Sequence, residues 1–304
     1  MRKDSCRGLF VLLLAGVCLN VNAQAPAPAA PAPVPAAVAM ARPSEAEIQA
    51  VRRSFAQFAA RADANTRALL HKYPNLLEVR PPAPNTATIP ALAPQFQAKH
   101  QANLAVASQG DAELLFMGDS ITDFWRNAEG QYAGKAVQEK YFSQWKVANY
   151  GIAGDTTQGV LFRLRNGEGT GIKPRAIMLM IGTNNTGRNS AAEIAEGIGA
   201  VVLELQKDYP DARILLLAVF PRGRAADPVR NTIADINQSI ARLDDGKKVF
   251  YLDIGKGFLD ASGNIPSDVM SDGLHPTPKG YEIWAQAVVE PLTAMMAGRA
   301  PAGR

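Results

Sequence analysis

Apolar residues gather in five short runs over the last two thirds of the chain, at 114–117, 146–149, 176–181, 214–219 and 249–253. They are rich in Val, Ile and Leu and show no alternation of polar and apolar positions. That is the pattern of strands buried on both faces. Longer stretches with apolar residues at steps of three and four lie between them, at about 130–143, 156–166, 191–209 and 230–243. A last one follows Thr277 and reaches about residue 297. Strands alternating with helices predict an α/β fold: a five-stranded parallel sheet with right-handed crossovers, helices on both faces and strand order 2-1-3-4-5.

The first third reads differently. Ser44 and Glu47 have capping-box spacing, and Ile48, Val51, Phe55, Phe58, Ala62 and Leu69 follow as one stripe. This predicts a helix from Ser44 that packs its stripe on the domain beyond, with a dimerising helix or a separate binding element as the alternatives. A proline-rich connection follows, from Tyr73 to Pro94. Before Ser44, residues 24–43 form an Ala/Pro tract, expected to be an extended spacer that buries little. Residues 1–23 have a basic start (Arg2, Lys3, Arg7), an apolar stretch too short to span a bilayer and a small-residue site ending at Ala23. This is the pattern of a secretory signal peptide. Cys18 is a poor lipid-anchoring site because Val17 precedes it. The expected organisation is signal peptide 1–23, linker 24–43, helical extension and connection 44–111, and catalytic domain 112–298. An exported, periplasmic or extracellular protein is expected, without stable membrane insertion.

Composition narrows the chemistry. The chain of 304 residues carries a net charge of +4. Removing Arg2, Lys3, Asp4 and Arg7 with the leader takes away +2 and leaves +2, and no basic run points to nucleic acid. Both cysteines, Cys6 and Cys18, lie in the leader, so the mature chain is expected to have no disulfide, thiolate nucleophile or cysteine metal site. Only His71, His100 and His275 are histidines.

The strand ends carry the candidate chemistry. With strand order 2-1-3-4-5, strand 1 lies at the topological switch point, where connecting loops diverge and leave a crevice. Gly118-Asp119-Ser120 ends strand 1, Gly154 follows strand 2, and Gly182-Thr183-Asn184-Asn185 ends strand 3. Ser120 is the candidate nucleophile, and a serine hydroxyl needs a base within reach. His275 is that candidate, with Asp272 three residues earlier to hold its imidazole. The candidate oxyanion donors are the backbone N–H groups of Ser120 and Gly154 and the side-chain amide of Asn184. Singly, each residue has a plainer use as a cap, turn or surface pair, and Asp119 reads better as a cap than as a second acid. Phe124, Trp125, Phe220 and Arg222 are candidates for pocket walls, and Arg163 and Arg222 for holding a loop.

These blocks, with Asn149 to Gln158, Phe162 to Glu168 and Pro221-Arg222-Gly223, resemble the SGNH/GDSL hydrolase superfamily. The strongest likeness is to platelet-activating factor acetylhydrolase IB catalytic-subunit-like esterases, over about residues 112–296. The resemblance implies a flavodoxin-like fold and ester hydrolysis without a metal or cofactor. It implies Ser120, Asp272 and His275 as the triad, with Gly154 and Asn184 in the oxyanion hole. The export signal, the N-terminal extension and a longer 124–141 segment depart from those cytosolic enzymes. The reading is a secreted serine esterase for short acyl, chiefly acetyl, esters on small molecules or polysaccharides. Alternatives are a lipid-directed esterase or lysophospholipase, a thioesterase and, more remotely, a non-catalytic binding domain. A homodimer is left open.

Overall fold

The computed structural model describes residues 29–302. The leader, with Ala23 and Cys18, lies outside them. Three helices, α1 (Glu45–Arg61), α2 (Ala64–Lys72) and α3 (Gln97–Ala107), precede β1 (Leu114–Gly118). There follow α4 (Ser120–Asp123), α5 (Lys135–Phe142), β2 (Val147–Asn149), α6 (Thr157–Arg163) and β3 (Ala176–Met180). The chain continues through α7 (Ala191–Asp208), β4 (Arg213–Leu217), α8 (Val229–Ile240), β5 (Val249–Leu252) and α9 (Pro278–Met296).

The five strands pair in parallel in the order β2-β1-β3-β4-β5. Phe116 of β1 faces Asn149 of β2 and Met178 of β3, so the three strands that carry the site are in register. Successive side chains of a strand leave by opposite faces. Leu115 and Met117 join the core under α6, α7 and α8. Leu114 and Phe116 join the core under α5 and α9. Both faces of the sheet are covered by apolar side chains, which is why the runs lack polar alternation. Burying each large aliphatic side chain contributes about 1.5–3 kcal/mol.

The first crossover, from β1 to β2, runs over the α5–α9 face, and the later ones run over the other. The reversal puts β1 at the switch point, as its sequence implies. The segment after β1 turns at once into α4, because the Asp119 side chain accepts the Ile121 N–H at 3.0 Å. Asp119 is thus a cap, as expected.

Two expectations for the N-terminal part need correction. The single helical stripe is two helices, because the chain is extended at Ala62 and Asp63 starts α2 by accepting the Thr66 N–H at 2.8 Å. The break disrupts the phase of the stripe. Ile48 is buried, but Val51, Phe58 and Leu69 are exposed. The second correction is to the Ala/Pro tract, which docks over its described part. The Ala32 N–H donates to Thr88 O at 2.7 Å, and Ala32 and Val38 are buried. Pro35 and Val38 lie over Gly199 of α7, where a side chain would collide with them. Arg42 grips the buried Glu196 through two bonds of 2.8 and 2.6 Å, and the Met40 N–H and Asn85 Nδ2 complete that carboxylate's shell. Small residues on α7 let the strap lie close, and Glu196 supplies the acceptor.

Candidate active site

Ser120 opens α4 at the end of β1, and its side chain is nearly buried. Its Oγ lies 2.9 Å from His275 Nε2. On the other side of the ring, Nδ1 lies 2.7 Å from Asp272 Oδ2. With Nδ1–H donating to the carboxylate, Nε2 is left as acceptor for the hydroxyl. The loop 272–275 is drawn tight by Asp272 Oδ1, which accepts the N–H groups of Leu274 and His275 at 2.9 and 2.8 Å. Burial raises the Asp272 pKa, but the His275 N–H, the His275 ring, the Leu274 N–H and Tyr132 together outweigh it and bring it down to about 2. The carboxylate is therefore charged wherever the imidazole has work to do.

Gly154 and Asn184 arrive from the two strands beside β1. Residues 152–155 form a turn closed by the Asp155 N–H on Ile152 O at 3.0 Å. Gly154 adopts φ +86, a backbone state that strains any side-chain-bearing residue. The Ala153 N–H donates to Asp123 Oδ2 at 3.0 Å, and Arg126 in turn holds Asp123. Asn184 sits in the short 3-10 turn after β3, and its Nδ2 donates to Asp155 O at 2.8 Å. Among the described residues, the Ser120 and Gly154 N–H groups have no protein acceptor. A cleft of about 450 Å³ opens along Gly154, Asp155 and Asn184, walled by Ala91, Leu92, Ala93, Gln95, Phe96 and Arg188. The N-terminal segment thus forms one side of it.

The pocket candidates divide. Phe124 and Tyr132 stack on each other and flank the His275 ring, at centroid distances of 5.1 and 5.2 Å from it. The 124–141 segment therefore does wall the site. Trp125 does not: it is fully buried among Phe116, Phe142, Tyr281 and Trp284. Phe220 is likewise core, against Phe258 and Trp284. Arg222 reaches Thr183, beside Asn184, at 3.3–3.4 Å and steadies that turn. Sequence reasoning missed Tyr132, Phe96 and the buried carboxylates around Arg163. Periodicity says nothing about loop aromatics, and buried charge leaves no pattern in one sequence.

Residues 116–283 match the GDSL-like Lipase/Acylhydrolase family. Platelet-activating factor acetylhydrolase IB subunit alpha2 of Rattus norvegicus is 36% identical over 204 residues, 65% of this chain and 86% of that protein. The alpha1 subunit of Homo sapiens is 31% identical, over 67% of this chain and 85% of its own length. Among solved structures, a Streptococcus pneumonia protein named as a candidate platelet activating factor aligns with a TM-score of 0.54 at 20% identity, covering 75% of this chain and 98% of its own. A candidate acylhydrolase from Bacteroides fragilis aligns with a TM-score of 0.54 at 19% identity, over 66% and 97%. These structural likenesses establish the fold, and the family rests on the sequence matches. The chain belongs to the GDSL-like lipase/acylhydrolase family and is a carboxylic ester hydrolase.

Proposed function

We propose that this hydrolase cleaves short-chain, chiefly acetyl, esters through an acyl-enzyme on Ser120, and that it does so after export. One observation carries the mechanism: the unbroken contact from Ser120 Oγ through the His275 ring to Asp272. Ser120 attacks the ester carbonyl while His275 Nε2 takes its proton, and Asp272 stabilises the imidazolium that forms. The oxyanion receives the N–H groups of Ser120 and Gly154 and the second Nδ2 proton of Asn184. His275 then protonates the departing alcohol, and a water activated by the same ring releases the acid. The acetyl preference draws on the relatives named acetylhydrolases. An acetylated carbohydrate carrier follows only from the leader sequence. The relatives' own names favour the second reading, an ester on a platelet-activating-factor-like carrier.

The test is hydrolysis of p-nitrophenyl esters from acetate to octanoate, then acetate release from acetylated sugars and from lipids. A steep fall with chain length and turnover on sugars are expected. Equal rates on octanoate would sink the short-acyl reading. Ser120→Ala should abolish turnover with the fold intact, and undiminished activity in that variant would refute the nucleophile.

A further inference from the structure

Arg163, at the end of α6, is fully buried. Its Nε donates to Asp155 Oδ2 at 2.9 Å, its Nη2 forms an ion pair with the same oxygen at 2.8 Å, and its Nη1 pairs with Glu168. A widened turn at Leu164–Glu168, with Gly167 at φ +112, brings Glu168 back onto the guanidinium. Glu168 Oε1 in turn meets His100 Nδ1 of α3 at 2.8 Å and accepts from Asn103 Nδ2 at 3.2 Å. Buried ion pairs of this kind are weak sources of stability, because desolvation offsets their attraction. Burial pushes the Asp155 carboxyl above its ordinary range even against the pull of Arg163. Stability alone is therefore a poor reason for placing Asp155 there.

Its position offers a better one. The Asp155 carboxylate is fixed by Arg163. Its N–H closes the turn that presents Gly154, and its carbonyl holds Asn184 Nδ2. One residue therefore connects a rigid buried cation to both off-strand donors. We propose that Asp155, locked by Arg163, is a positioning residue that sets the Gly154 N–H and the Asn184 amide at the spacing an oxyanion requires. The proposal rests on the reading that those donors serve an oxyanion. Misplacing a catalytic group by about 1 Å can cost about 100-fold in rate. The Asp155–Arg163 pair holds two such groups.

The experiment measures kcat and KM for p-nitrophenyl acetate, with Tm, in the full chain. Wild type against Ser120→Ala comes first, and equal rates there would end the catalytic reading and this proposal with it. If that reading stands, Asp155→Asn keeps the backbone groups and removes the ion pair. It should lower kcat by about 10–100-fold with KM within about twofold. Adding Asn184→Ala to Asp155→Asn should then cost much less than the product of the single losses, because the two changes share the Asn184 donor. A kcat within about twofold of wild type, or losses that multiply, would overturn the positioning role while leaving the Ser120 reading intact. A purely structural role would lower Tm and leave kcat per folded molecule unchanged. If Asp155→Asn does not fold, Arg163→Lys takes its place, since it keeps the charge but loses the fork. The same kcat loss and the same non-additivity with Asn184→Ala are expected of it, and multiplying losses would again overturn the proposal.

Discussion

Asn184 has two amide protons, and only one is committed. The bond to Asp155 O uses the first and orients the group, so under the proposed mechanism the second would need no further ordering to meet an oxyanion. Asn184→Ala should therefore lower kcat by about 100–1,000-fold and shift KM only a few-fold, because the lost contact strengthens at the transition state. Steady-state kinetics on p-nitrophenyl acetate checks this, and a change in KM alone would remove Asn184 from the oxyanion site. Asp119, next to the nucleophile, poses a different question. Its side chain is completely buried, and Oδ2 has no partner among the described residues. Burial above all, against the Ile121 N–H, raises its pKa to about 7. The folded chain thus holds this proton more tightly than the unfolded one. The stability from this group is full below the unfolded value of about 3.9 and is lost as pH rises to about 7. Asp119→Asn keeps an acceptor for Ile121 and removes the buried charge. Its Tm should exceed that of wild type by several degrees at about pH 8.5, and the gap should close near about pH 4. Asp272 works in the opposite sense. Its lowered pKa adds stability above about 3.9 that disappears as pH falls towards about 2.

At the scale of elements, the α1–α2 arm separates what a pattern can tell from what it cannot. The periodicity of Ile48 to Leu69 predicts helix, but it misses the break at Ala62, and only Ile48 of the stripe is buried. Replacing both Phe58 and Leu69 with Gln should leave Tm within about 1 °C, as exposed substitutions do. Ile48→Ala should lower it measurably, and thermal melts distinguish the two. A large loss from the Phe58 and Leu69 pair would mean that the stripe has a cover. Periodicity reports that a face is apolar, not what lies against it. The strands were easier to read, because a doubly buried strand has both its covers implied by the alternating helices. The same logic made the ends of β1, β2 and β3, which carry Ser120, Gly154 and Asn184, legible as the ends of adjacent strands. His275 and Asp272 were legible because their contact is local. The Ala32–Arg42 strap was not. Its docking depends on Gly199 and Glu196 of α7, more than 150 residues away, and proline-rich composition alone predicts the opposite.

For the whole molecule, the N-terminal third contributes unevenly. The strap lies on α7, and most of the α1–α2 arm is exposed. Residues Ala91 to Phe96 wall the cleft, and His100 and Asn103 of α3 complete the shell of Glu168. Two shortened chains should therefore behave differently. A chain beginning at Pro81 keeps Asn85 on Glu196, the cleft wall and α3, but loses Arg42 and the Met40 N–H. Glu196 then faces water as well as a missing partner, which softens the usual cost of breaking a buried pair. Its Tm should drop by roughly 5–10 °C, with KM for acetate esters nearly unchanged. A chain beginning at Gly110 leaves the buried Glu168–Arg163 pair with an incomplete shell. It should show no cooperative melt and little Ser120-dependent hydrolysis. Melting curves and p-nitrophenyl acetate turnover on both chains decide the matter. A Gly110 chain that melts cooperatively and turns over at the full rate would place the whole N-terminal third outside the catalytic unit.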